Sequence, residues 1–330
     1  MRFDLKKLRI LWADRAVQTG ILALVLIITM GSLRPKESFG LYPDEYWIKK
    51  ASWHQCADMV LAGDSRVLIS LAPCEMVKII GPERIYNYGF GSAWYSPEYL
   101  QAIEDVLDPR SNSKTIVLGI SPHSLTKRDS ETSNFFENHK LSKHERFIQM
   151  HFGSLLYFFQ PLSFHEIWPV VFPSLAKSHT VRKFFGDGWI SVHKEPGRID
   201  HELKKYHGFY QQRQVDEQNI KNLLSAVSKW TSDNMSVYGF IPPSCKEMYE
   251  MEGQISGFNE KDFVARFENA GGVWIDTDPG AYYSFDGSHL QDDAALQFTH
   301  DFVFKMVELQ EGTASLTVKQ RADWTQDDAN

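Results

Sequence analysis

From residue 57 to residue 310 the chain alternates short apolar runs with longer segments whose apolar positions recur at helical spacing. The runs "DMVLAG", "RIYNYG", "KTIVLGIS", "MSVYGFIPP" and "GGVWIDTD" predict strands, each bounded by turn residues. Between them "RVLISLAPCEMVKII", "SPEYLQAIEDVL", "VDEQNIKNLLSAVSKWTSD" and "DDAALQFTHDFVFKMVEL" predict helices. In the second helix Ser96 is placed to cap, Pro97 takes the first helical position and Glu98 the first turn. In the third, Ile220, Leu223, Leu224, Val227 and Trp230 share one face. The run "KTIVLGIS" is apolar almost throughout, as a strand covered on both sides must be. Strands alternating with helices predict an α/β fold, a three-layer sandwich with a mostly parallel sheet.

Two other regions break this rhythm. Residues 124–212 are polar at first and then rich in aromatics and histidine, and read as an insertion covering one edge of the fold, a lid or partner surface. Residues 311–330 are polar and predict a disordered tail. At the other end, residues 1–15 carry Arg2, Lys6, Lys7, Arg9 and Arg15, and residues 16–33 follow without a charge. Eighteen helical residues span about 27 Å, close to the hydrocarbon thickness of a bilayer. The basic flank predicts one transmembrane signal anchor with its N-terminus in the cytoplasm and the rest on the extracytoplasmic side. A cleaved signal peptide is the rival, but "ITMGSLRP" lacks a small-x-small cleavage site. The organisation expected is a basic segment 1–15, an anchor 16–33, a juxtamembrane linker 34–54, a catalytic domain 55–310 and the tail.

Composition narrows the partners. A net charge of -7 argues against nucleic acid, which is bound by clustered Lys and Arg. Cys56, Cys74 and Cys245 form no CxxC and no zinc spacing, and both a Cys56–Cys74 bridge and free thiols stay open. "HERFI", "HEIWP" and "HELKK" lack the second histidine of a zincin helix, and no P-loop, dinucleotide fingerprint or GxSxG elbow occurs. No metal and no cofactor is expected.

In open parallel sheets, functional groups gather at the carboxyl ends of strands. Four places qualify: Gly63-Asp64-Ser65 after the first strand, Asn87, Gly89 and Gly91 after the second, "GISPHS" after the third, and "DGSHL" before the last helix. Taken alone, Gly-Asp-Ser and Asp-Gly-Ser-His are ordinary turn chemistry. Together they hold the parts of a serine acyl-transfer site: a nucleophile, an imidazole, a carboxylate and N–H donors. Asp286 and His289, three residues apart, can present both side chains on one side of a turn.

This order of blocks resembles the SGNH (GDSL-type) hydrolase superfamily, of flavodoxin-like fold, over roughly residues 57–310. The resemblance implies Ser65 as nucleophile, His289 as base and then acid, and Asp286 orienting it. It implies an oxyanion hole drawn from Ser65, Gly89, Gly91 and Ser121, with Asp64, Asn87 and His123 in support. The third block departs from the family, which has Asn where Ser121 stands, followed here by Pro122. One lost oxyanion donor is worth a few kcal/mol of barrier, which disfavours ordinary ester hydrolysis.

With the expected anchor, the "SP" turn and the insertion, the chain is similar to envelope SGNH proteins. These include the teichoic acid D-alanyl transfer protein and alginate-type O-acetyltransferases. That likeness implies an O-acyltransferase, with acetyl as the expected acyl group, working on an envelope or exported polysaccharide beside a membrane-bound O-acyltransferase partner. Trp168, Trp189 and Tyr157 of the insertion suit sugar stacking, though such aromatics more often belong to a core. An esterase or deacetylase of envelope glycans and a non-catalytic adaptor of the same fold are the alternatives.

Overall fold

The computed structural model describes residues 15–32, 43–81, 83–126, 133–159, 179–195, 197 and 199–327. In chain order its elements are α1 (Arg15–Ser32), α2 (Pro43–Ala51), β1 (Met59–Ala62), α3 (Ser65–Ser70), α4 (Pro73–Ile80) and β2 (Ile85–Asn87). Next come α5 (Pro97–Val106), β3 (Thr115–Gly119), a 3₁₀ turn (Pro122–Leu125), α6 (Asn134–His139), α7 (Lys143–Phe159), β4 (His179–Phe184) and β5 (Ile190–Glu195). The remainder is α8 (Ile199–Gln212), α9 (Glu217–Ser232), β6 (Ser236–Phe240), α10 (Lys246–Ile255), α11 (Glu260–Asn269), β7 (Val273–Trp274) and α12 (Asp292–Asp327).

Five strands form one parallel sheet in the order β2-β1-β3-β6-β7. Side chains alternate across it, as a two-residue period requires. Val60, Ala62, Ile116, Leu118 and Val237 face a core completed by α5, α9 and α11, with Tyr99, Ile103, Leu223, Val227, Trp230, Phe263 and Phe267 buried in it. Met59, Leu61, Val117, Tyr238 and Phe240 face the opposite core, closed by α3, α4 and α12 through Val67, Met76, Phe298, Phe302 and Met306. Each Val, Leu, Ile, Phe or Met among these contributes about 1.5–3 kcal/mol when withdrawn from water. The α/β architecture with helices on both faces of a parallel sheet is thus present. The predicted caps are present too: Ser96 accepts from the Tyr99 N–H, with Pro97 at the start of α5.

The chain divides into two compact units, Met1–Tyr46 with Ser142–Lys177 and Trp47–Leu141 with Ser178–Asn330. In the first, α1 contacts α7. The apolar side chains of α1 from Ile21 to Ile28 are largely exposed, Leu22 by 61%. Among the described residues, no helix is long and apolar enough to cross a membrane. The expected span runs on to Leu33, outside the described residues, as are residues 1–14 and Trp168.

In the second unit the expected boundaries shift. The linker predicted over 34–54 contains α2, and Ile48 and Lys50 are buried. The Lys50 ammonium donates to the Gly188 carbonyl at 2.7 Å, so the chain is already packed there. The insertion divides as well. Its later part forms the antiparallel hairpin β4–β5 and α8, and the Asp187 carbonyl at the hairpin's tip accepts from Asn87 N–H on edge strand β2. Trp189 is buried and its indole donates to the Ile69 carbonyl at 2.8 Å, which removes it from the candidates for sugar stacking. The tail predicted to be disordered from Glu311 is instead helical to Asp327, because a packed helix propagates at little cost per added residue. Cys56, Cys74 and Cys245 are all free thiols.

Candidate active site

Strand β1 ends at Ala62, and the chain must then turn sharply to start α3 at Ser65. Gly63 permits that turn, because a Cβ there would collide with the Val67 side chain and crowd the Gly119 carbonyl. Asp64 caps α3, accepting from the Arg66 N–H at 2.9 Å. Two buried tyrosines, one just before α5 and one in its first turn, buttress the strand end. The Tyr99 hydroxyl accepts from Gly63 N–H and donates to the Tyr88 carbonyl, while the Tyr95 hydroxyl donates to the Gly119 carbonyl at 2.9 Å. Ser65 is therefore held in the first turn of α3, with an amide that has no intrahelical partner.

The second half lies in the turn Asp286-Gly287-Ser288-His289, where Gly287 takes φ +89°, a left-handed conformation that glycine adopts without strain. One carboxylate oxygen of Asp286 accepts from the Ser288 and His289 amides at 2.9 and 2.8 Å. Its other oxygen pairs with His289 Nδ1 at 2.9 Å. A carboxylate only accepts, so Nδ1 carries the proton and Nε2 is left as the acceptor. Nε2 lies 2.8 Å from Ser65 Oγ. Burial alone would raise the Asp286 pKa, but the charge and hydrogen bond of His289 and the two amides lower it to about 2. The carboxylate is therefore ionised throughout the neutral range.

A buried ion pair joins these two halves. Arg66 sends a bidentate pair of bonds to Glu252 at 2.8 and 2.7 Å, and its Nε donates to Ser288 Oγ at 3.1 Å. Ser288 Oγ donates to the Tyr206 hydroxyl, and the Tyr210 hydroxyl donates to Glu252. Arg66 directly follows Ser65 and Ser288 directly precedes His289. Sequence reasoning missed this group. Its signal was Arg66, a charge directly before the apolar run "VLISL", since a charge buried there must find a partner.

The remaining predicted residues fall into two sets. Gly91 lies in the turn after β2, and among the described residues neither its N–H nor that of Ser65 has a hydrogen-bond partner. Gly89 does not share that freedom: its N–H donates to Asn87 Oδ1 at 2.9 Å. Asn87 itself spends its amide on the Val67 and Leu71 carbonyls at the end of α3. Ser121, expected to donate to the oxyanion, is fully buried and donates to Asp64 Oδ2 at 2.6 Å. A hydroxyl has one proton, so that bond removes Ser121 from the donor set. His123 Nδ1 stands 3.7 Å from the same carboxylate. Burial would raise the Asp64 pKa, yet His123, Arg66 and Ser121 hold it well below the usual carboxylate range.

The third block thus supports the cap of α3 and leaves two backbone N–H groups as candidate oxyanion donors. Among the described residues no group of three or more His, Cys, Asp and Glu side chains is placed to hold a metal ion. No protein-family model matches the chain, and no curated protein matches it in sequence.

Proposed function

We propose that this chain is an SGNH-type, membrane-anchored O-acyltransferase that carries its acyl group on Ser65. The observation that carries the reading is the unbroken hydrogen-bonded chain from Ser65 Oγ through the His289 ring to Asp286, at 2.8 and 2.9 Å. The parallel sheet, with Ser65 after its interior strand β1 and His289 before the closing helix, supports the flavodoxin-like assignment. In the mechanism His289 Nε2 takes the Ser65 proton as Oγ attacks the acyl carbonyl. The Ser65 and Gly91 N–H groups receive the developing oxyanion. His289 then gives the proton to the leaving group, and Asp286 stabilises the imidazolium formed in between.

In the second half-reaction a sugar hydroxyl on an envelope or exported polysaccharide replaces the leaving group and runs the same steps backwards. An oxyanion hole of backbone amides alone, with Ser121 tied to Asp64, favours transfer from an activated donor over hydrolysis of stable esters. A membrane-bound O-acyltransferase is the partner proposed to supply that donor, and α1 the proposed anchor, with the sheet unit on the extracytoplasmic side. A fluorophosphonate probe tests the class: labelling of the full chain that is lost in Ser65→Ala supports it. An unlabelled but folded full chain leaves only the non-catalytic adaptor.

A further inference from the structure

An open cavity of about 480 Å³ is lined by Ile199, Asp200 and His201 at the start of α8 and by Tyr283 and Phe285 of the segment leading to His289. Its volume is within the roughly 300–1,000 Å³ usual for ligand sites. Phe285 on the cavity wall connects it to the histidine. The Phe285 ring lies nearly parallel to the His289 ring, 18° apart with centroids at 5.9 Å, and Phe285 N–H donates to the His289 carbonyl. Ile199 also sits against Gly287 of the Asp286–His289 turn.

Its chemistry is specific. Tyr88, Tyr95, Tyr99 and Tyr210 are fully buried, whereas Tyr283 is 61% exposed on the wall of the cavity. An exposed phenol ring offers an apolar face with a polar rim. Asp200 and His201, both exposed, add an acceptor and a second polar group to the lining. A ring with one apolar C–H face and hydroxyls around its edge, a pyranose, matches that combination. We infer that this cavity is the acceptor subsite, in which a glycan's pyranose unit stacks on Tyr283 and hydrogen-bonds to Asp200 and His201. The inference rests on the acyl-serine reading of Ser65.

The step it serves balances without a further reagent. A sugar hydroxyl gives its proton to His289 Nε2 while its oxygen bonds to the acyl carbon. The acyl–Oγ bond then breaks, and the proton passes to Ser65 Oγ. The products are the sugar ester and free Ser65. The seat on Tyr283 decides which alcohol competes with water at this step.

The test uses the full chain in detergent micelles with p-nitrophenyl acetate as donor and maltotriose, cellotriose and trimannuronate as acceptors. The nitrophenolate burst counts acyl-enzyme, and mass spectrometry counts acetylated sugar, so each result is a fraction of acyl groups transferred. Tyr283→Ala is expected to lower that fraction about tenfold, and Tyr283→Phe to keep it within about threefold. Asp200→Asn is expected to lower it as well. A transferred fraction in Tyr283→Ala within twofold of the parent overturns the subsite. So does a parent that forms acyl-enzyme but acetylates none of the three sugars. A parent without any burst instead removes the acyl-serine reading, and the subsite with it.

Discussion

Arg66 Nε donates to Ser288 Oγ at 3.1 Å, and this bond ties the neighbour of Ser65 to the neighbour of His289 across 222 residues of chain. Burial would lower the Arg66 pKa, but the Glu252 carboxylate holds it well above its ordinary value. Both partners are nearly inaccessible, with side-chain exposures of 1% and 3%. The charge pair thus bonds to the segments on either side of the 2.8 Å contact between Oγ and Nε2 and touches neither atom.

Breaking that pair from one side strands a buried charge. Glu252→Gln is expected to destabilise the fold by about 3–5 kcal/mol, read by urea unfolding. The double variant Arg66→Met/Glu252→Leu removes both charges and is expected to regain most of that loss. Its turnover should nevertheless stay below the parent's, because the tie to Ser288 is gone. A double variant as active as the parent would show that the pair does not position the site.

Asp286 links the site to pH. Its pKa falls from 3.8 unfolded to about 2 folded, so its contribution is fully present above pH 4 and is lost as pH falls toward 2. The size is about 2 kcal/mol. Asp286→Asn should cost about that much at pH 7, and the difference from the parent should shrink as unfolding is repeated between pH 4 and pH 2. Turnover of Asp286→Asn should drop at least about a hundredfold, since the amide no longer fixes the tautomer.

The two glycines after β2 are expected to differ. A Cβ at Gly89 would lie 2.7 Å from the Leu68 backbone nitrogen, which cannot move without moving α3. Gly89→Ala should cost about 1–3 kcal/mol and lower turnover. A Cβ at Gly91 would meet only the Asn134 side chain, which can rotate away. Gly91→Ala should leave the melting temperature close to that of the parent. Equal losses in the two would contradict this account of the turn.

Ser121 separates support from catalysis. Ser121→Ala removes a bond to a buried carboxylate and should destabilise by about 1.5–3 kcal/mol. Turnover per folded molecule should remain within a few fold of the parent. A hundredfold loss without unfolding would return Ser121 to the oxyanion hole.

Much of this arrangement was legible in the residues. Five apolar runs became the five parallel strands, and the spacing of Asp286 and His289 was enough to expect one turn to present both. Local patterns carry such features because caps, turns and periodicity act over a few residues. Partner choice does not. Nothing near Ser121 tells that its proton goes to Asp64, 57 residues away, or that Gly89 is taken by Asn87 while Gly91 is left. Arg66, Glu252, Tyr206 and Ser288 come from four separate segments, and only the fold brings them together. The α2 helix was hidden for a similar reason: its burial depends on the Gly188 carbonyl of a distant hairpin.

The most direct test of the central claim is to trap the acyl group. The full chain is mixed with p-nitrophenyl acetate, quenched in acid during the burst, digested and analysed by mass spectrometry. The account predicts one added acetyl group on the peptide carrying Ser65, absent from Ser65→Ala and strongly reduced in His289→Ala. Acetylation found elsewhere, with the Ser65 peptide unmodified, would contradict it.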